Sequence, residues 1–256
     1  MTVYFIGAGP GAADLITMRG YHLLKKCQLV LYAGSLVPIE LLDYIPAGTQ
    51  KFDTASLTLP EIIKLMKTAH DSGFDVARLH SGDPSIYGAI GEQMVELKKL
   101  QIPFEIVPGV SSFSAAAAVL QTELTLPQIS QSVILTRVEG NASEMPPHET
   151  IQTLAASRAT MVFYLSIRRL RQIVRELIPF YGEDCPVAVC YRVSWPDQVI
   201  IRGCLKDIVE QLKPFAITRT ALIIVGRCLS AELIENSHLY DPAHTHIFRP
   251  VVKSSD

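Results

Sequence analysis

Along the first 120 positions the apolar residues follow two alternating rhythms. Val3 to Ile6, Leu29 to Tyr32, Phe74 to Leu79 and Phe104 to Val107 are short, mostly apolar runs of strand length. Between them the period becomes helical. Thr17 to Cys27 sets Leu23, Leu24 and Cys27 on one face with Lys25 and Lys26 outward, and Ile39 to Tyr44 suggests a further helical turn. Leu59 to Ser72 repeats Ile62, Ile63, Met66 and Ala69 at helical spacing, with Pro60 suited to the first turn and Gly73 as the stop. Ala89 to Leu100 and Ser114 to Leu120 complete the series. Strands alternating with helices predict an α/β fold on a largely parallel sheet.

From Thr122 to Gln131 the periodicity lapses, and this stretch reads as a connection. The expected division is an N-terminal α/β domain over 1–120, a C-terminal α/β domain over 121–236 and a tail over 237–256. In the second half, strands are predicted at Ser132 to Thr136, Thr160 to Leu165, Pro186 to Cys190 and Ala221 to Val225. Gln198 to Gly203 alternates enough to pair antiparallel. Helices are predicted at Ile151 to Ala156, Arg168 to Leu177 and Leu205 to Leu212, with a turn-rich loop around Pro146-Pro147.

Three of the four first-half strands leave through loops that cannot continue a strand. These are Gly7-Ala8-Gly9-Pro10-Gly11, Ser81-Gly82-Asp83-Pro84 and Pro108-Gly109-Val110-Ser111-Ser112. In a parallel sheet the carboxyl ends share one edge, where open α/β sheets hold ligands, so the three bends are expected to converge. Gly7, Gly9 and Ala12 formally match a dinucleotide fingerprint. Pro10 and Gly11 sit where its helix should start, however, and Tyr32-Ala33-Gly34-Ser35 lacks the acidic residue that would hold a ribose. An oxidoreductase is therefore disfavoured.

Charge narrows the field further. With 23 basic and 25 acidic residues the chain carries a formal −2, which argues against a broad grip on nucleic acid. No segment reaches the ~18 uninterrupted apolar residues that span a bilayer, and the start lacks a signal-peptide layout. A soluble, cytoplasmic protein is expected. Cys27, Cys185, Cys190, Cys204 and Cys228 form no CxxC pair, so buried thiols are expected rather than zinc or disulfides. His238, His244 and His246 show no metal-ligand spacing and read as part of a solvated tail.

The set VYFIGAGPG (3–11), LHSGDPSIYG (79–88), FEIVPGVSS (104–112), TMVFYL (160–165) and Pro186–Val189 resembles the tetrapyrrole (corrin/porphyrin) methyltransferases that use S-adenosylmethionine. The pieces span nearly the whole chain in family order. Tyr32 to Val37, Leu135 to Gly140 and Tyr191 to Pro196 are most similar to the family's precorrin-4 branch, with or without cobalt. Uroporphyrinogen III methylases usually carry Tyr-Asp-Arg-Leu-Val and Gly-Gly-Asp where this chain has Tyr32-Ala33-Gly34-Ser35-Leu36-Val37 and Ser81-Gly82-Asp83.

The resemblance implies two α/β domains with S-adenosylmethionine in the cleft between them, S-adenosylhomocysteine as product, a tetrapyrrole substrate and a homodimer. Carried over by position, the cofactor contacts are Pro10, Ser81, Gly82, Asp83, Ile86, Ser111, Ser112, Leu165, Val193, Thr220 and Ala221. Leu165 stands where Met is common and Val193 where Gly or Ala is common. Asp83 either faces the ligand or caps its own loop.

A tetrapyrrole presents many carboxylates, which Arg pairs in a two-pronged geometry. Arg137, Arg192 and the neighbouring Glu139 are the substrate-side candidates, whereas Arg168, Arg169 and Arg171 read as a solvated helix face. Glu139 either assists deprotonation or orients Arg137, and no residue singles itself out as the base. Methylation of another tetrapyrrole, of RNA or of a protein side chain keeps the same fold, and a non-catalytic tetrapyrrole carrier would bind without the cofactor.

Overall fold

The computed structural model describes residues 1–34, 36–140 and 144–230 of the 256-residue chain. The expected tail, with His238, His244 and His246, lies outside the described residues, as does Ser35. Two compact units are formed. One comprises Met1–Gln121, Val189–Ile201 and Ala216–Leu222; the other comprises Thr122–Ala188, Arg202–Phe215 and the described part of Ile223–Asp256.

The first unit is built on five strands: β1 (Val3–Gly7), β2 (Leu29–Tyr32), β3 (Gln50–Asp53), β4 (Val76–His80) and β5 (Phe104–Val107). Their order is β3-β2-β4-β1-β5. Every pairing among them is parallel, which places all five carboxyl ends on one edge. The connecting helices are α1 (Met18–Lys26), α2 (Ile39–Leu42), α3 (Leu59–Asp71), α4 (Ile90–Lys99) and α5 (Ser112–Leu120).

Period-two alternation sorts each strand's side chains to two faces. Val3, Phe5, Leu31 and Val76 pack with Ile62, Met66 and Leu97 of α3 and α4. Tyr4, Ile6, Val30, Ala77 and Leu79 pack with Leu24 of α1 and Leu41 of α2. Each fully buried aliphatic side chain contributes about 1.5–3 kcal/mol, so this double-sided core fixes the sheet that carries the bends.

In this unit the structure departs from the sequence expectation at β3, a fifth strand that was not predicted, and at the start of β4. β3 is an edge strand whose Gln50, Lys51, Phe52 and Asp53 are all exposed, so it lacks the apolar run that marks its neighbours. β4 begins two residues later than expected and runs on through His80. Asp75 is spent beforehand, accepting from Thr2 N (2.8 Å) and donating its own N–H to Gln28 (2.9 Å).

A second five-stranded sheet has the order β6-β7-β10-β8-β9. Its strands are β6 (Val133–Arg137), β7 (Thr160–Tyr164), β8 (Pro186–Tyr191), β9 (Val199–Cys204) and β10 (Ala221–Val225). β6 and β7 are parallel, β7 and β10 antiparallel. The helices are α6 (Ile151–Ala155), α7 (Leu170–Tyr181) and α8 (Ile208–Leu212). α7 starts after a 3-10 turn at Ile167–Arg169 and carries Pro179 in its last turn, so it extends beyond the predicted Leu177.

Candidate functional site

At the carboxyl edge of the first sheet the three bends interlock through their main chains. Ala8 N donates to His80 O (2.7 Å), Gly82 N to Gly9 O (2.7 Å) and Gly9 N to Gly82 O (3.3 Å). Both glycines hold left-handed backbone, at φ +81° for Gly9 and +65° for Gly82. The third bend comes equally close. A Cβ on Gly109 would stand 2.1 Å from Gly82 O and 2.7 Å from Gly7 Cα.

Asp83 ties this knot. Its Oδ1 accepts from Ser85 N (2.8 Å) and its Oδ2 from Gly109 N (2.9 Å), so one carboxylate closes its own turn and anchors the next bend. Capping is therefore a role the structure shows for this side chain. Ser81 is exposed, Ile86 and Ser112 half-buried, and Ser111 buried beside Gly82.

The segment after β8 joins the same unit. Trp195 Nε1 donates to Pro10 O (3.0 Å), and Ala12 N donates to Ser194 Oγ (3.0 Å). Val193, between them in sequence, is buried. Arg192 N donates to Thr220 O (3.0 Å), which brings Thr220 and Ala221 to this segment. Pro10, Ser81, Gly82, Asp83, Ser111 and Val193 thus belong to one interlocked set of bends. Arg192 does not present a bare guanidinium: its Nε donates to Asp197 Oδ1 (2.7 Å), and its charge lies 4.0 Å from the centre of the Trp195 ring.

Leu165, Arg137 and Glu139 belong to the second unit. Arg137 closes β6 beside Tyr164 of β7, and its Nη2 donates to Glu144 O (2.8 Å). Ser166 Oγ accepts from Val138 N (2.7 Å) and donates to Tyr164 O (2.6 Å), pinning the bend that carries Leu165. Leu165 itself is 77% exposed at φ 53°, an apolar side chain held outward on a left-handed backbone. Glu139, Arg168, Arg169 and Arg171 are exposed.

One polar group beneath the bends escaped the sequence analysis. Arg78 and His80 are buried on β4; Arg78 donates to Thr54 Oγ1 (2.9 Å) and Gln93 Oε1 (3.3 Å). Burial holds the guanidinium's pKa down to about 10, and burial with the Arg78 charge lowers that of His80 to about 3, against a hydrogen bond to the Gly88 backbone. The signal available beforehand was two ionisable residues at i and i+2 inside an otherwise apolar strand.

Among the described residues no group of three His, Cys, Asp or Glu could hold a metal ion, and no helix is long and apolar enough to cross a membrane.

Residues 2–209 match the family model of the tetrapyrrole (corrin/porphyrin) methylases. A precorrin-4 C(11)-methyltransferase from Pseudomonas aeruginosa is 53% identical over 250 residues, covering 98% of this chain and 99% of that protein. A cobalt-precorrin-4 C(11)-methyltransferase from Methanocaldococcus jannaschii is 47% identical, with coverage of 96% and 95%. Among solved structures, a cobalt precorrin-4 methyltransferase superposes with a TM-score of 0.86 at 41% identity, covering 89% of this chain and 95% of the other. A uroporphyrin-III C-methyltransferase from Thermus thermophilus, complexed with S-adenosyl homocysteine, gives 0.75 at 26%, with coverage of 90% and 93%.

Proposed function

Because the chain belongs to the tetrapyrrole (corrin/porphyrin) methylase family, we propose that it transfers a methyl group from S-adenosylmethionine to C11 of precorrin-4, with or without cobalt, in cobalamin biosynthesis. The observation that carries this is near-complete coverage at 53% identity, in a chain whose three glycine-bearing bends knot together at one sheet edge.

The bends suit the cofactor. Where a Cβ on Gly82 would sit, the nearest atoms are Ser111 Cα and Ser112 N, both at 3.7 Å, so a missing side chain leaves main chain facing main chain across a gap. Backbone groups displayed in that way recognise an amino-acid carboxylate without needing a charged side chain. When bound, S-adenosylmethionine supplies a methyl group already activated by its sulfonium. The protein's share is alignment: holding the reacting atoms ~3–3.5 Å apart removes several kcal/mol of barrier.

In this reading Pro10, Ser81, Gly82, Asp83, Ile86, Ser111, Ser112, Leu165, Val193, Thr220 and Ala221 hold the cofactor. Asp83 acts through the shape of the loop it caps. Arg137 and Arg192 face the substrate's carboxylates, Arg192 by exchanging its exposed partner Asp197, and Glu139 either assists deprotonation or orients Arg137. We take the enzyme to work in the cytoplasm and, as the family resemblance implies, as a homodimer; sedimentation tests the dimer.

The deciding experiment is mass spectrometry after a single turnover, offering cobalt-free and cobalt-containing precorrin-4 in parallel. Gain of one methyl group at C11 on either substrate is expected. Methylation of uroporphyrinogen III or ribosomal RNA, with neither precorrin modified, would overturn the assignment.

A further inference from the structure

We propose that Arg78 and His80 form a buried receptor for a single carboxylate group, oriented by Thr54 and Gln93; in the reaction proposed above it would hold one acetate or propionate arm of the tetrapyrrole. The identity of the arm rests on that functional reading, whereas the receptor rests on geometry alone.

Arg78 and His80 leave the same face of β4, two residues apart, beside Phe5, whose ring centre is 5.8 Å from the imidazole. Arg78 is 6% exposed and His80 8% exposed. The guanidinium bonds only two neutral groups, through Nη1 to Thr54 and Nε to Gln93, and among the described residues no carboxylate pairs with it. Neither bond engages Nη2. His80 Nε2 is the one fully buried side-chain polar atom without a hydrogen-bond partner among the described residues.

A buried cation without a counter-ion and a buried nitrogen without a partner are each costly, and here they are neighbours. One carboxyl group meets both needs. An oxygen accepts from the free edge of the guanidinium fork, and the other oxygen shares a proton with Nε2, whichever of the two carries it. The surrounding bonds keep the fork in place: Thr54 Oγ1 also donates to Tyr32 O (3.1 Å), and Gln93 Nε2 to Ala89 O (3.2 Å). Thr54 follows β3, Tyr32 ends β2 and His80 ends β4. The receptor therefore lies at the carboxyl edge of three adjacent parallel strands, the ligand-binding edge of such sheets.

The test uses the full chain as wild type, Arg78→Gln and Arg78→Lys. Acetate is titrated at fixed pH while the His80 ring is followed by NMR, its signal identified by its loss in His80→Gln. A saturable shift is expected in the wild type and none in Arg78→Gln. Calorimetry with S-adenosylhomocysteine should show the three proteins within about twofold of one another, because the knotted bends do not use the guanidinium. Cobalt-precorrin-4 should bind at least about tenfold more weakly to Arg78→Gln, with Arg78→Lys between, since Lys keeps the charge and loses the fork.

A wild-type His80 signal indifferent to acetate would overturn the receptor, and this arm needs no variant to fold. Equal loss of S-adenosylhomocysteine and tetrapyrrole binding in Arg78→Gln would reduce the cluster to a brace and also overturn it. Saturable acetate binding by a wild type that ignores the tetrapyrrole would sustain the receptor for a free small carboxylate and sink the functional reading instead.

Discussion

Replacing Asp83 by Ala tests whether the knot of bends depends on one carboxylate. Both oxygens of Asp83 accept main-chain N–H groups, from Ser85 at 2.8 Å and Gly109 at 2.9 Å. The first bond is exposed and contributes ~0.5–1 kcal/mol; the second is partly buried and charge-assisted, for ~1.5–3 kcal/mol. Losing both should destabilise the first unit by about 3 kcal/mol. With a urea dependence of about 2–3 kcal/mol per molar, the unfolding midpoint then falls by about 1 M.

Trp195 is the chain's only tryptophan and belongs to the same unit, so its fluorescence reports that transition. Asp83→Asn keeps one good acceptor and should lose about half as much. S-adenosylhomocysteine affinity should fall in the same order as stability, Asn before Ala. A midpoint for Asp83→Ala within about 0.3 M of the wild type would refute the capping role. Full stability in Asp83→Asn with lost cofactor affinity would instead assign the carboxylate to the ligand.

Trp195→Phe removes the donor to Pro10 O while keeping a ring beneath Arg192, so circular dichroism in urea should show a loss of about 1 kcal/mol. Gly11→Ala places a Cβ 2.2 Å from the Trp195 ring, and overpacking of that kind costs about 1–3 kcal/mol with a shift in Trp195 emission; an unchanged emission spectrum would contradict the packing. His80 has its pKa at about 3 in the fold against 6.5 in the free side chain, so below pH 6.5 the unfolded chain binds a proton that the folded one refuses. Stability should therefore drop on acidification, by about 1.4 kcal/mol at pH 5.5, and His80→Gln should lack this component of the slope. Burial pushes the Cys27 thiol up to about 12 and Cys185 to about 11, whereas Cys204 is half-buried; native alkylation at pH 8 followed by mass spectrometry should mark Cys204 well before the other two.

How much of this was legible depends on whether a residue's neighbours in sequence are also its partners. β1, β2 and the three bends could be read because apolar runs and Gly-Pro punctuation act locally. β3 could not, since an exposed edge strand made of Gln50, Lys51, Phe52 and Asp53 has no buried face to impose a pattern. Arg78 was hidden for a related reason. A charged residue in a strand reads as solvent-facing, and its burial depends on Thr54 and Gln93, which lie 24 and 15 positions away. Arg192 was legible as a substrate-side candidate, but its pairing with Asp197 and Trp195 was not, although both stand close by in sequence. Its backbone explains why: at φ 44° the chain folds those residues back onto it, a conformation that Arg rarely adopts.

That last point extends to the bends as a group. Gln101 and Gln121 also take left-handed backbone, but they end α4 and α5, where such a residue is an ordinary helix terminator. Tyr87, Ala89, Leu165, Arg192, Ser194 and Thr220 have no such excuse, and each costs of order 1 kcal/mol or more in a loop. Sequence preferences vote against every one of these six conformations, so no propensity argument could have placed them. They persist because fixed bonds over-determine the bends around them: Arg192 N to Thr220 O, Ala12 N to Ser194 Oγ, Val138 N to Ser166 Oγ and Gln93 Nε2 to Ala89 O. Leu165, Arg192, Ser194 and Thr220 stand at or beside positions that the family resemblance implies for ligands, and Tyr87 lies in its LHSGDPSIYG piece. Ala89 lies one residue beyond that piece, and Gln128, Arg158 and Ala216 take left-handed backbone elsewhere. Strain and motif are separate signals, one invisible in the sequence and the other legible in it, and their overlap at Leu165, Arg192, Ser194 and Thr220 is a structural reason to look for the chemistry there.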